Sequence, residues 1–335
     1  MKNIKYLSTW VRRFLTEYVI NNRNLSPNTL ASYRDTLRLI IPYASKLRNK
    51  SIDKLMIEDL NADLIKNFLS NIETERKCSI STRNQRLAAI NSFAKFVGQN
   101  CIDYIEWVRM IKLIPIKKGP QKTITYLDRS EMDALLDEPE KQTKQGQRDY
   151  ALILLLYNTG ARANEVAQMT ISNLSLAQRK NEISTVLIKG KGNKQRRCPL
   201  WQETVDQLTI LSNARDPSEN LFINRQKQSM TRFGIYNVIE KYTERASLKV
   251  SSISKKNVSP HTIRHTTATH LLQSGVDINT IRAWLGHVSI NTTNIYAEID
   301  IEMKAKALSA CEVSVDNKRT HWKNNDDLMT FLNNL

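Results

Sequence analysis

Five side chains in the C-terminal part of the chain are of the types that phosphoryl transfer requires. They are one phenol, two guanidiniums and two imidazoles: Tyr296, Arg162, Arg264, His261 and His287. Arginine keeps its charge and its planar fork matches two phosphate oxygens, while a phenol serves as nucleophile and imidazoles donate hydrogen bonds and move protons. The set therefore favours covalent chemistry on a phosphodiester.

Two of these residues are expected to share one helix face. Ser259 and Pro260 are typical of an N-cap and a first helical position. His261 and Arg264 follow three positions apart, beside a helix N-terminus, which attracts anions. This segment is therefore expected to present both side chains to a phosphate.

The remaining two residues are expected on the helices that follow. The first helix should run to about residue 274, with Gly275 as its C-cap, and a second should begin after Asp277. His287 is expected to close that second helix. Tyr296 comes nine positions later, on a short helix after residues 291–293.

The sequence lacks the signatures of two common phosphate chemistries. No glycine-rich loop precedes a Lys-Ser or Lys-Thr pair, and no Asp/Glu cluster near this segment offers a site for two metal ions. The spacing of His261, His265 and His270 could suggest zinc, but no Cys or acidic partner accompanies them, so His265 and His270 are expected to be structural. We expect a metal-free transesterification without a cofactor.

Five segments with these residues follow one another in the order of a known family. They are Asn158 to Val166, Lys189 to Lys194, His261 to His265, Leu285 to His287, and Tyr296. In this order they resemble the tyrosine recombinase (phage integrase) family, in its Xer-like and mobile-element integrase branch. The resemblance covers roughly residues 125 to 300 and is looser before them. Glu165, one turn after Arg162, matches a position that supports the site in that family.

The resemblance implies a role for each of the five reactive side chains. Tyr296 would attack the scissile phosphate, giving a 3′-phosphotyrosyl intermediate and a free 5′-hydroxyl. Arg162 and Arg264 would bind the non-bridging oxygens. His261 and His287 would donate hydrogen bonds and assist proton transfer.

A lysine at the tip of a hairpin is the expected general acid. Residues 183–188 and 195–200 are β-branched or strand-like runs on either side of a Gly- and Lys-rich loop, which favours a β-hairpin. Lys191 matches the family position that protonates the leaving 5′-oxygen. Lys189 and Lys194 remain alternatives, and are otherwise expected to contact DNA.

Charge and length agree with a protein that acts on DNA. The 335 residues carry 50 Lys and Arg against 33 Asp and Glu, a net charge of +17, and this length predicts two domains. Residues 1–120 hold 21 basic and 10 acidic side chains, so the N-terminal part is the more basic. Such an excess also fits solubility or RNA affinity.

The sequence predicts a cytoplasmic, nucleoid-associated protein. Charges interrupt the apolar residues of the first fourteen positions, and the longest apolar run, residues 151–157, is too short to span a bilayer. The four cysteines have neither metal-site nor disulfide-framework spacing. A reducing compartment in contact with the chromosome is therefore expected.

The N-terminal part is expected to form a bundle of four or five helices. Apolar residues repeat at helical spacing around Trp10, after Ser26-Pro27, over 60–72 and over about 81–97. The last of these resembles the DNA-contacting helix of the family's core-binding (SAM-like) domain. It carries three candidate DNA-binding side chains, although a solvated helix face is an equally good interpretation: Thr82, Arg83 and Arg86.

The predicted division of the chain is a helical core-binding domain, a basic linker, a catalytic domain and a tail. Their bounds are 1–113, 114–125, 126–323 and 324–335. The linker carries Lys117 and Lys118, which suit contact with a DNA backbone. The fold class is therefore expected to be mainly α, with a small β-hairpin or sheet in the catalytic domain.

The tail is expected to take part in assembly on DNA. Four apolar residues at helical spacing form one stripe in residues 324–335: Leu328, Phe331, Leu332 and Leu335. In the family, such an element commonly docks on the adjacent protomer of a tetramer. We therefore expect docking in trans rather than packing on its own domain.

The predicted function is site-specific DNA recombination on double-stranded recombination sites, by a homo-tetramer or with a partner recombinase. A type IB topoisomerase shares the chemistry, but the separate N-terminal domain and the tail favour recombination. A non-catalytic DNA-binding regulator derived from a recombinase is a further alternative, which the complete residue set disfavours. Integration, transposition and chromosome dimer resolution are not separated by the sequence.

Overall fold

A computed structural model describes residues 5–22, 25, 27–119, 124–177, 182–190 and 194–286. The chain divides into two compact units, Met1–Lys122 and Thr123–Leu335. Three of the predicted catalytic residues and the tail 324–335 lie outside the described residues: Lys191, His287 and Tyr296.

The first unit is a bundle of helices, as the apolar periodicity predicts. Its helices are α1 (Leu7–Arg13), which continues as a π-helix (Phe14–Asn22), α2 (Pro27–Arg48), α3 (Ala62–Thr74), α4 (Ile80–Asn100) and α5 (Ile105–Lys112). Side-chain caps fix two of the starts: Asn61 accepts from the Leu64 amide and Ser79 from the Thr82 amide. Short 3₁₀ turns at Ile52–Lys54, Ile57–Asp59 and Ile102–Tyr104 complete the bundle.

Aromatic rings fill the centre of this first unit. Phe14 lies 5.4 Å from Phe93 and 5.6 Å from Phe96, between ring centroids, and Trp10 lies 6.1 Å from Phe96 in an edge-to-face arrangement. All four rings are buried. Because they come from α1, its π-helical continuation and α4, these contacts join the first helices to the one that carries the candidate DNA contacts.

The second unit combines helices with a small three-stranded antiparallel sheet. The helices are α6 (Arg129–Leu136), α7 (Lys144–Thr159), α8 (Ala163–Ala167), α9 (Gln202–Ser212), α10 (Arg232–Lys249), α11 (Pro260–Gln273) and α12 (Ile278–Leu285). Short 3₁₀ turns lie at Ile171–Asn173 and Ile253–Lys255. The strands are β1 (Leu174–Ser175), β2 (Thr185–Lys189) and β3 (Gln195–Pro199), in the order β1-β2-β3. The mainly α fold with a small sheet is confirmed.

Helix α7 forms the centre of this unit. Its residues from Tyr150 to Leu156 are buried on every face, and α9 and α11 pack against it. A helix that is apolar all round must be enclosed by other elements. Gly160, with φ of +59°, ends α7 in the left-handed conformation and turns the chain into α8.

The predicted hairpin is present, and one predicted helix end is wrong. Val186 pairs with Cys198 and Lys189 with Gln195, which sets the register of β2 and β3. Helix α12 ends at Leu285, two residues before the expected end at His287, because Gly286 adopts a left-handed φ of +66° as its C-cap. Within the described residues, no helix is long and apolar enough to cross a membrane.

Candidate functional site

Helix α11 carries two of the predicted catalytic residues at its first turns. The Ser259 hydroxyl accepts from the Thr262 amide, and Pro260 occupies the first turn, so the predicted helix start is confirmed. His261 is exposed beside this N-terminus. Arg264, one turn later, is only 1% exposed.

Two main-chain carbonyls hold the guanidinium of Arg264. Its Nη1 donates to the Gly160 carbonyl at 2.6 Å and its Nη2 to the Leu285 carbonyl at 2.7 Å. These acceptors are neutral, so they fix the plane of the guanidinium without cancelling its charge. The ends of α7 and α12 thereby set the position of the arginine on α11.

Arg162 is held differently, at the start of α8. Its backbone amide donates to Glu165 Oε2 at 2.9 Å and its Nη1 to Glu165 Oε1 at 2.8 Å. Its side chain is 41% exposed, so part of the guanidinium faces solvent. A capping box therefore orients this second cation while leaving it accessible.

Glu165 also receives a second arginine, which sequence reasoning missed. Arg196 on β3 donates to Glu165 Oε2 at 2.7 Å from Nη2, and its Nε donates to the Trp284 carbonyl at 2.8 Å. Burial alone would raise the pKa of Glu165, but hydrogen bonds and charge from Arg196 and Arg162 hold it below its ordinary value. The alternation of β3 was the available signal, because it places residue 196 inward with Cys198.

Arg162, His261 and Arg264 meet at one cleft of about 400 Å³. The other wall of the cleft is formed by three residues at the start of α10: Arg232, Phe233 and Tyr236. No sequence motif had pointed to these residues. Phe233 is largely exposed, with the Arg232 guanidinium 4.6 Å from its ring centroid. The cleft thus combines several cations with two aromatic rings, a composition that suits a phosphate joined to a sugar and base.

Burial and nearby positive charge favour the neutral form of the imidazoles of α11, because they lower the pKa of each ring. Desolvation, followed by the charges of Arg264 and Arg162, lowers the pKa of His261 below its ordinary value. Burial and the adjacent His261 ring, whose centroid lies 4.4 Å away, lower the pKa of His265 to about 4. A neutral imidazole has one donor and one acceptor nitrogen, so His261 is able both to donate to a phosphate oxygen and to accept a proton.

His270 lies on another face of α11, against α7. Its Nδ1 is 2.7 Å from the Tyr157 hydroxyl, and the two rings meet edge to face. This places it in the packing between helices and outside the lining of the cleft. Among the residues that the structure describes, no group of His, Cys, Asp or Glu side chains could hold a metal ion.

The base of the hairpin loop lies beside Glu165. The Gly190 amide donates to the Lys194 carbonyl at 2.7 Å and closes the hairpin. A β-carbon added at Gly190 would lie 3.2 Å from Glu165 Oε1, so the base of the loop rests on the Arg162–Glu165 pair. Lys189 and Lys194 are exposed, and Lys191 belongs to the undescribed residues between them.

The candidate DNA contacts of α4 are engaged within the first unit. Arg83 is 8% exposed and its Nη1 donates to the Pro115 carbonyl at 2.8 Å. Arg86 donates to Thr36 Oγ1 at 3.1 Å, and Thr82 takes part in the Ser79 cap through its amide. These contacts favour a structural role for both arginines, and their contact with DNA stays a prediction.

The two linker lysines are exposed. Lys117 donates from Nζ to Glu73 Oε1 at 3.1 Å, and its backbone amide donates to the Asn84 side chain. Lys118 is equally solvent-facing. The start of the linker is therefore attached to α3 and α4, with its lysine side chains at the surface.

Two family models match the chain in the order of its two units. The model described as the phage integrase, N-terminal SAM-like domain, matches residues 11–99, and that of the phage integrase family matches residues 125–303. Together they include all but the last residue of α4, the hairpin, α11 and the position of Tyr296.

Curated relatives are similar over nearly the whole chain. A putative integrase/recombinase, y4rC of Sinorhizobium fredii, is 31% identical over 334 residues that cover 98% of both chains. The tyrosine recombinase XerC of Oceanobacillus iheyensis is 30% identical over 303 residues, covering 88% of this chain and 91% of its own.

Solved recombinase structures share the fold. The XerH site-specific recombinase bound to its difH substrate in a pre-cleavage complex matches with a TM-score of 0.64 and 25% identity, over 89% of this chain and 84% of that one. The Tn1549 transposon integrase in complex with transposon right end DNA matches in fold, with a TM-score of 0.67 and 17% identity over 90% of this chain and 99% of that one. From the family models, the relatives and the fold, the chain belongs to the phage integrase family and is a tyrosine recombinase, an enzyme that cleaves and rejoins DNA.

Proposed function

We propose that this recombinase exchanges strands between specific duplex DNA sites through a 3′-phosphotyrosyl intermediate on Tyr296. The convergence of Arg162, His261 and Arg264 on one basic cleft carries this proposal. A pentacoordinate phosphate in transfer concentrates negative charge on its equatorial oxygens, and prepositioned guanidiniums stabilise that charge more than the charge of the ground state.

The two arginines that bind the scissile phosphate are held in place by different groups of the protein. Arg264 is buried and held by two carbonyls, so it presents a rigid cation at the floor of the cleft. Arg162 is partly exposed and held by Glu165, so it approaches from the rim. Because both are fixed before substrate arrives, little reorganisation is needed when charge develops.

The remaining roles complete the proton balance of the reaction. The Tyr296 oxygen forms the new bond to phosphorus, and the bond from phosphorus to the 5′-oxygen breaks. His261, with its lowered pKa, accepts the phenolic proton, and Lys191 gives a proton to the leaving 5′-oxygen. His287, immediately after the α12 cap, donates a hydrogen bond to a phosphate oxygen, and Glu165 orients Arg162.

The substrate is a pair of double-stranded recombination sites held by a homo-tetramer, with or without a partner recombinase. XerH is described as bound to difH and the Tn1549 integrase as bound to transposon DNA, which supports duplex sites as the partner of this chain. The phosphotyrosyl bond conserves the energy of the cleaved phosphodiester, so neither ATP nor a metal ion is required. Such a reaction belongs in the cytoplasm, at the nucleoid, and serves integration, transposition or dimer resolution alike.

A nicked suicide duplex tests the proposal. Duplexes drawn from the ends of the surrounding genetic element are incubated with the wild type and with Tyr296→Phe, in the presence of EDTA and without ATP. We expect an SDS-resistant protein–DNA adduct with the wild type only, since the nick lets the 5′-hydroxyl strand diffuse away and traps the intermediate.

A second tyrosine supplies a matched control. Tyr236 lines the described cleft, so Tyr236→Phe removes a phenol from the same site. The adduct should persist in that variant. An adduct that survives Tyr296→Phe but disappears in Tyr236→Phe would reassign the nucleophile, and a strict need for Mg²⁺ or ATP would refute the metal-free mechanism.

A further inference from the structure

Arg196 is a charged side chain on the buried face of the small sheet. In β3 the side chains of Arg196 and Cys198 point inward, opposite Ile188 and Val186 of β2, while those of Gln195 and Arg197 are exposed. The Arg196 side chain is only 10% exposed. Because burying a cation is costly unless it is paired and hydrogen-bonded, its partners explain why it is tolerated there.

The guanidinium of Arg196 joins three segments of the site. Its two terminal nitrogens lie 3.3 and 2.7 Å from the two oxygens of Glu165, the residue that orients Arg162. Its Nε donates to the Trp284 carbonyl in the last turn of α12 at 2.8 Å. A planar fork satisfies a carboxylate and a carbonyl at once, which a lysine ammonium on a flexible stem does not reproduce.

The same guanidinium lies close to Gly190, at the base of the hairpin loop. A β-carbon added at Gly190 would lie 3.6 Å from Arg196 Nη1, and one added at Gly286 would lie 3.2 Å from Arg196 Cδ. Gly190 is the last described residue before Lys191, and Gly286 the last before His287. Arg196 is thus packed between the base of the loop and the cap of α12.

We propose that Arg196 is a positioning residue that holds the general-acid hairpin against the phosphate-binding arginine segment and the end of α12. The inference rests on the proposed function, in which a lysine of this hairpin protonates the leaving 5′-oxygen. The capping box between Arg162 and Glu165 does not involve Arg196, so we expect it to persist when Arg196 is altered. Loss of Arg196 therefore displaces chiefly the hairpin, and impairs chiefly the departure of the 5′-oxygen.

A sulfur-substituted substrate separates this role from a general loss of structure. In a duplex whose bridging 5′-oxygen at the scissile phosphate is sulfur, the phosphorus–sulfur bond breaks and a thiolate departs. Because a thiol has a pKa of about 8.5, the thiolate leaves without receiving a proton from a general acid. A defect in general-acid positioning is therefore relieved on this substrate, whereas a defect in phosphate binding is not.

The variants are Arg196→Lys, which keeps a cation near Glu165, and Arg196→Met, which removes it. The matched controls are Arg197→Lys and Arg197→Met, since Arg197 is the exposed neighbour on the same strand. Lys191→Ala is the reference for loss of the general acid, and Arg162→Lys is the reference for a weakened phosphate contact. Thermal unfolding verifies the fold of each variant, and gel shifts measure its affinity for the duplex. If Arg196→Met does not fold, the test of the inference rests on Arg196→Lys.

We expect Arg196→Lys to bind duplex as tightly as the wild type and to form adducts roughly 10²-fold more slowly on the oxygen substrate, the scale of loss from a displacement of about 1 Å. On the sulfur substrate most of that loss should disappear, while Arg162→Lys stays slow on both. The Arg197 variants should match the wild type on both substrates.

The possible outcomes test three separate points: the role of Arg196, the identity of the general acid and the identity of the nucleophile. A wild-type rate for Arg196→Lys on the oxygen substrate, or an equal loss on both substrates, would overturn the inference. If the sulfur substrate restores the rate of adduct formation in the Arg196 variants but not in Lys191→Ala, the inference is upheld and the general acid is reassigned to Lys189 or Lys194. If adducts persist in Tyr296→Phe, Tyr296 is not the nucleophile, whatever the rates of the Arg196 variants on the two substrates.

Discussion

Two arginines of the cleft illustrate how burial determines what a substitution costs. Arg264 is 1% exposed and two of its donors bind main-chain carbonyls, whereas the Arg162 side chain is 41% exposed and binds a carboxylate that Arg196 also neutralises. Lysine keeps the charge of either residue but not the fork. Replacement of each arginine by lysine should therefore distinguish an effect on the reaction rate from an effect on the stability of the fold.

Arg162→Lys and Arg264→Lys should both slow adduct formation, by roughly 10²-fold, because each removes an oriented donor to the transferring phosphate. Only Arg264→Lys should also destabilise the fold, by about 1–3 kcal/mol, since it leaves a buried carbonyl without its donor. Urea unfolding and single-turnover adduct formation measure the two effects. Arg225→Lys, at an exposed position, is the control; equal stability of both site variants would contradict the buried role of Arg264.

The site depends on a close contact between two helix ends, that of α7 and that of α12. Gly160 ends α7 with a φ of +59° and provides a carbonyl for Arg264. Leu285, which provides the other carbonyl, is fully buried against the same glycine. Glycine is needed there both for the left-handed backbone and for the space that a β-carbon would take.

Gly160→Ala should therefore cost more than the same change at Gly275, another left-handed position. A β-carbon at Gly160 would lie 2.5 Å from Leu285 Cδ2, while one at Gly275 meets nothing within 4 Å. Gly275→Ala should cost about 1 kcal/mol for the backbone conformation, and Gly160→Ala about 3 kcal/mol because overpacking adds to it. Denaturant unfolding measures the free energy of unfolding of both variants. Equal losses would show that the Leu285 side chain moves aside without an energetic cost. Gly160→Ala should also slow adduct formation.

The excess of basic side chains and the apolar stripe of the tail lie in different parts of the chain. The first 120 residues have an excess of 11 basic side chains, which favours non-specific attraction to a duplex. The tail 324–335 has an apolar stripe instead, at four positions of helical spacing. We therefore expect the tail to contribute to assembly on DNA and little to the affinity of one protomer.

Phe331→Asp should weaken cooperative binding to a duplex with two binding sites, because it puts a charge in the stripe that we expect to dock on the neighbouring protomer. Binding to a single site and the unfolding temperature should stay unchanged. Asn333→Asp adds the same charge off the stripe and is the control. Gel shifts over a protein titration measure cooperativity, and loss of thermal stability in Phe331→Asp alone would instead indicate packing on the tail's own domain.

The local features of the site could be predicted from neighbouring residues in the chain. Ser259-Pro260 starts α11, the spacing of His261 and Arg264 places both at its first turns, and the alternation after residue 184 gives the hairpin. Each of these depends on interactions within a few residues: a cap, a helical turn or a cross-strand pair. Such interactions can be inferred from neighbouring residues alone.

The partners of the charged side chains, in contrast, depend on long-range packing and could not be predicted. This packing buried Arg264 between carbonyls at 104 and 21 residues' separation, paired Arg196 with Glu165 across 31 residues, and turned Arg83 toward Pro115. A surface cation and a buried one have the same local sequence signature, since burial depends on which distant segment supplies the acceptor. The long-range packing of α7, α11, α12 and the sheet therefore converted separate motif residues into one cleft.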